Sequence, residues 1–171
     1  MNHTPSTSLN VILLRQLETR IQMLVSTIEI CPDDVWIKAD GHPPVWQHVL
    51  HTAHSLHKWM RTPDQPFDPP SFIDTAAVDL VAPPEPAVDR DTLRQYIQEV
   101  YDHSRRLLET ADNDTLLQEV GINGGIYTLM DQTVGQIGHV MYHAGCISII
   151  LNRYTGKPLP WIGYAWNARV G

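Results

Sequence analysis

Only two of the 171 residues are cysteine and only two are phenylalanine. Cys31 and Cys146 are too few for a disulfide framework and lack the spacing of a Cys-based metal site. Cations are scarce too: Lys plus Arg number 12 against 19 Asp plus Glu, a formal net charge of −7. That balance argues against sequence-independent nucleic-acid binding, whose affinity comes from cations neutralising phosphates. It argues equally against an anionic membrane surface. No stretch approaches the ~20 consecutive apolar residues of a membrane-spanning helix. The first residues, Met1 to Ser6, hold no basic stretch followed by an apolar one, so no secretory signal is expected and the cytoplasm is the expected compartment.

What is present is an apolar share of 43%, too high for a disordered chain. The length suits one domain with one sizeable core. A single helical domain over 1–171 is expected, with its core at about 9–156 and an aromatic tail at 157–171. Four segments carry helical periodicity. The first follows Ser6-Thr7-Ser8 as a cap, runs from Leu9 and stops near Cys31-Pro32. The second starts at Pro43-Pro44 and ends before Pro63, and the third opens on an Asp89 or Asp91 cap. The fourth starts near Thr128, where Thr128 and Asp131 fit a capping box, and closes at Gly156 and Pro158.

From Thr62 to Arg90 lies a long connection that holds seven of the thirteen prolines and has no periodic pattern. Asn123-Gly124-Gly125, flanked by Val120, Ile122, Ile126 and Tyr127, signals a short hairpin. The expected fold class is therefore all-α: a four-helix bundle with a long Pro-rich crossover between its second and third helices.

Nine histidines is the other abundance. Chance gives roughly 0.5 pairs at any fixed spacing in such a chain, so counting precedes pattern-matching. His48, His51, His54 and His57 form an unbroken three-residue series, well above that rate. Each step turns about 300°, so His48 and His57 end on opposite sides of the helix and at most two neighbours face the same way. His139 and His143 are the one pair at spacing four, one turn apart on one face, the spacing two imidazoles need to reach one metal ion. Gln132, Gln136, His139 and His143 fall within roughly 60° of one another on a helix that is otherwise largely apolar. A buried polar stripe needs partners. A metal with bound water would supply them, and so would hydrogen bonds from a neighbouring helix; the residues alone leave both open.

Pro44-Val45-Trp46-Gln47-His48-Val49-Leu50-His51-Thr52-Ala53 resembles the second-helix motif of the DinB/YfiT-like family. His139-Val140-Met141-Tyr142-His143-Ala144-Gly145 resembles that family's last-helix His-x-x-x-His-x-Gly. The resemblance extends from about Leu9 to Gly156. It implies a four-helix bundle, a homodimer, and a three-histidine site for one divalent transition metal (zinc, nickel, iron or manganese) made by His51, His139 and His143. It further implies a metal-dependent enzyme, a transferase or hydrolase, acting on a small molecule such as a low-molecular-weight thiol; the catalytic residues stay unknown.

Two features depart from the pattern. Where the family often has glutamine after that glycine, this chain has Cys146, read as a small buried hydrophobe. The apolar residues of the second helix centre on a face that His51 does not share, so His48 or His54 would take its place if His51 lay on the surface. Trp36, Trp46 and Trp59 read as core, and Asp33 and Asp34 as turn and cap. Trp161, Tyr164 and Trp166 could cover the bundle, line a pocket mouth or form a dimer surface. Tyr142, Asp131 and Glu119 are acid–base candidates among which nothing selects. The competing expectation is a non-enzymatic helical interaction or stress-response module without metal, its histidines hydrogen-bonded.

Overall fold

Four long helices form where the periodic segments were, and three single-turn helices and a hairpin fill the connections. The computed structural model describes residues 8–81 and 86–163. α1 (Leu9–Ile30) buries Leu13, Leu17, Ile21, Leu24 and Ile28, one stripe at three- and four-residue steps. Ser8 occupies its N-cap but makes no side-chain cap bond, contrary to the expected cap; Ser6 and Thr7 lie outside the described residues. The chain turns extended at Cys31, as the following proline requires. α2 (Asp33–Trp36) is a single turn with Pro32 in the capping position, so Asp33 and Asp34 sit in its first turn rather than capping it.

α3 (Val45–Trp59) begins directly after Pro43-Pro44. α4 (Thr75–Val78) is one turn inside the Pro-rich connection, capped by the Asp74 side chain. α5 (Arg90–Thr110) takes Asp89 rather than Asp91 as its cap, accepting from the Thr92 backbone N–H at 2.9 Å. Arg90 ties this helix to the end of α1. Its guanidinium donates to the carbonyls of Ile28 and Cys31 and to Asp33, and lies 4.5 Å over the Trp36 ring. A cation among the last carbonyls of a helix is favoured by their dipoles.

After α6 (Asn113–Leu117) come β1 (Glu119–Ile122) and β2 (Gly125–Thr128), paired antiparallel with Ile122 opposite Gly125. Asn123 and Gly124 both have positive φ, 51° and 81°, the two-residue turn that Asn-Gly favours. α7 (Leu129–Thr155) starts on the expected capping box and ends at Gly156 with φ 71°.

α1 and α3 each pack against both α5 and α7, giving a four-helix bundle. Its core contains Leu17, Leu24, Trp46, Leu50, Leu56, Leu93, Ile97 and Ile147, all essentially inaccessible. Trp36 and Trp46 are core as expected, whereas Trp59 is only half-buried. By length and composition α7 could cross a bilayer, with a mean hydropathy of 1.3 over its most apolar window. In this fold it is one of the four bundle helices, packed against α1 and α3, and it buries Gln132, Gln136 and His143 of the polar stripe. Past α7, Leu159 is buried and Arg20 of α1 holds the chain by donating to the Ile162 carbonyl and stacking on Trp161. Tyr164 and Trp166 lie outside the described residues.

Candidate metal centre

α3 and α7 run side by side, and their histidines meet between them. His51 Nε2 lies 3.1 Å from His139 Nε2, which lies 3.2 Å from His143 Nε2. Two nitrogens bound to one ion at about 2.0–2.1 Å are separated by about 2.9–3.4 Å as their angle opens from right to tetrahedral. Both distances made by His139 thus already have the spacing of ligands, and the three histidines, with ligand atoms within 4.8 Å of one another, form a group that could hold a metal ion.

Proton counting points the same way. His51 Nδ1 faces the Val78 carbonyl, which only accepts, so Nδ1 carries the hydrogen and Nε2 presents a bare lone pair. His143 Nδ1 lies 3.0 Å from His48 Nδ1, so one of the two donates; with His143 as the donor its Nε2 is bare as well. At most the His139 Nε2 then carries a hydrogen, and it can satisfy only one neighbour. A cation satisfies all three lone pairs at once. Burial is the main reason why His143 is pushed down to about 3 and His139 also lies below the ordinary imidazole value; neighbouring imidazoles add to it. Both therefore stay neutral, the state in which imidazole binds metal.

The phase problem on α3 resolves through α4. Gln47, fully buried, donates from Nε2 to the Ala77 carbonyl at 2.9 Å, and His51 donates to the next carbonyl, that of Val78. The face of α3 that carries Gln47 and His51 is thus covered by the Pro-rich connection instead of facing solvent. His48 and His51 are the two neighbours that look the same way, toward α7. His54 and His57 turn elsewhere: both meet the Phe67 ring edge-on, and His57 Nδ1 lies 3.1 Å from the Tyr96 hydroxyl. Neither belongs to the three-histidine group, nor does half-buried Cys146. Of the acid–base candidates, Asp131 is engaged in the capping box, Glu119 is exposed on β1, and Tyr142 is exposed with its ring edge-on to His143.

A family model described as the DinB superfamily matches residues 16–147, most of the chain and all of the site. The chain belongs to the DinB superfamily. No curated protein and no solved structure matches it significantly. In this DinB-superfamily chain the sequence did not disclose three contributors to the site. The Val78 carbonyl and the Gln47 tie depend on a four-residue helix too short to show periodicity. A cavity of about 440 Å³ beside His139, lined by Ser55, Trp59, Tyr127, Gln132 and Gln136, is assembled from three elements. Its one legible trace was the polar stripe on α7. His48, part of the numerically conspicuous series on α3, lies here against His143. Replacing His48 with alanine should weaken metal affinity about 10–100-fold, since outer partners of ligating histidines have that effect. Competition with a chromogenic chelator reads this directly, and unchanged affinity would show that His143 needs no partner.

Proposed function

We propose that this protein holds one divalent transition metal through His51, His139 and His143 and uses it as a metal-dependent enzyme on a small molecule. The observation that carries this is the approach of His51 Nε2 and His143 Nε2 to His139 Nε2 at 3.1 and 3.2 Å, with the His51 and His143 rings each meeting a partner through Nδ1. Three protein ligands leave coordination positions open, the arrangement of a catalytic rather than a structural site. A divalent ion there would act as a Lewis acid, lowering the pKa of a bound thiol or water toward neutrality.

The chain's own part is to keep the imidazoles neutral, fix their ring orientation through Val78 and His48, and present the adjoining cavity to substrate. A low-molecular-weight thiol as co-substrate follows from the superfamily resemblance, and the reaction is then a thiol-dependent transfer. Elemental analysis of the purified native protein tests the core of the proposal. Close to one transition-metal ion per chain is expected, and a metal-free protein indifferent to added zinc, nickel, iron or manganese would overturn it.

A further inference from the structure

We propose that the cavity beside His139 is a subsite for a neutral planar amide, whose donor–acceptor edge pairs with Gln132 while the rest of the ligand extends toward the histidines. The inference rests on the metal reading above only for that second part. Gln132 is 5% exposed, and neither its Oε1 nor its Nε2 has a hydrogen-bond partner among the described residues. Leaving both ends of a buried amide unpaired is costly, and proteins do so where something else completes them. The cavity, at about 440 Å³, is in the range that holds small ligands.

The lining decides which chemistry fits. Trp59 and Tyr127 both line the cavity, their rings edge to face at 5.2 Å and 86°, so its lining includes aromatic surface against which a flat group can pack. The only ionic side chain in the lining is the carboxylate of Asp131, and no Lys or Arg lies there, so an anion is disfavoured. An ammonium, which only donates, or a carboxylate, which only accepts, would satisfy one end of Gln132 and an aromatic hydrocarbon neither. An amide offers a donor and an acceptor side by side and can pair with the Gln132 amide through two hydrogen bonds. Gln136, one turn on, already accepts from Ser55 at 3.2 Å. Gln132 and His139 stand seven residues apart, about 10 Å along the helix, within reach of one small molecule. His139 Nδ1 is also buried without a hydrogen-bond partner among the described residues.

The test titrates benzamide, benzoate and benzylamine into the metal-loaded full chain, with calorimetry as readout. Benzamide is expected to bind, with the other two at least about tenfold weaker, the effect of one lost or mismatched hydrogen bond. Gln132→Leu should weaken benzamide about tenfold or more while metal content stays the same. Gln132→Glu keeps the shape, removes the donor and should weaken it likewise, which serves if the leucine variant fails to fold. Absence of benzamide binding, equal binding of all three probes, or retention of benzamide by either variant would overturn the inference. Metal content, measured on the same samples, separates the two readings. A metal-free protein that binds benzamide through Gln132 keeps the amide subsite and removes the metal centre; a metal-loaded protein that ignores benzamide does the reverse.

Discussion

Chelation of the wild-type protein is expected to lower its thermal midpoint by about 10 °C, and His139→Ala/His143→Ala protein is expected to show no chelator response. A ligand that binds only the native state stabilises it by about 4 kcal/mol at a thousandfold excess over its dissociation constant. For a chain of this size each kcal/mol moves the midpoint by about 2–4 °C. The metal-free site has an added cost: the Nε2 atoms of His51 and His143 both crowd His139 Nε2, which can donate to only one of them. Single variants locate the third ligand. His51→Ala should remove stoichiometric metal, while His54→Ala should leave it in place, because His54 packs against Phe67 outside the cluster. A wild-type midpoint that ignores chelator would favour a hydrogen-bonded histidine stripe in a non-enzymatic helical module.

The four long helices were legible because each is written by one-dimensional signals: three- and four-residue apolar spacing, Asp89 and Thr128 caps, the Cys31-Pro32 stop and Gly156. The Asn123-Gly124 hairpin was legible for the same local reason. α2, α4 and α6 were not, since four or five residues cannot repeat a 3.6-residue period and their stability comes from what they pack against. The α7 pair was legible as a pair from spacing, as one turn places His139 and His143 together, while its reading as part of a metal site came from the family resemblance. The α3 half was not legible from spacing. On a wheel His51 looks misplaced, because the wheel measures apolar phase and cannot know that a one-turn helix will bring the Val78 carbonyl over that face. Family position supplied the residue, and tertiary contact supplies the reason. Of the two alternatives to His51, His48 also faces α7, where it meets His143 Nδ1, whereas His54 turns to Phe67.

Acidification of the chelated protein is expected to cost several kcal/mol of stability between about pH 6.5 and 4, before most carboxylates titrate. Burial is the first cause that holds His48 and His54 down at about 4 and His143 at about 3. In the unfolded chain each has the ordinary value near 6.5. Above that value both states are neutral and the shift contributes nothing. As pH falls below it the unfolded chain takes up protons that the folded protein refuses, so stability declines, by up to about 1.4 kcal/mol per pH unit for each such histidine. Half-buried His54 contributes less, since solvent screens its neighbours. The Asp89, Asp112 and Asp131 carboxylates, held below their usual range by helix-capping hydrogen bonds, act in a separate, lower window around and below pH 4. Thermal midpoints recorded in chelator at half-unit steps from pH 7.5 to 4.5 would therefore descend from about 6.5 downward, and His54→Leu and His139→Ala/His143→Ala proteins would descend less steeply. A flat profile over that interval would mean that the buried imidazoles accept protons in place, and an unchanged slope in both variants would move the origin of the acid sensitivity away from this cluster.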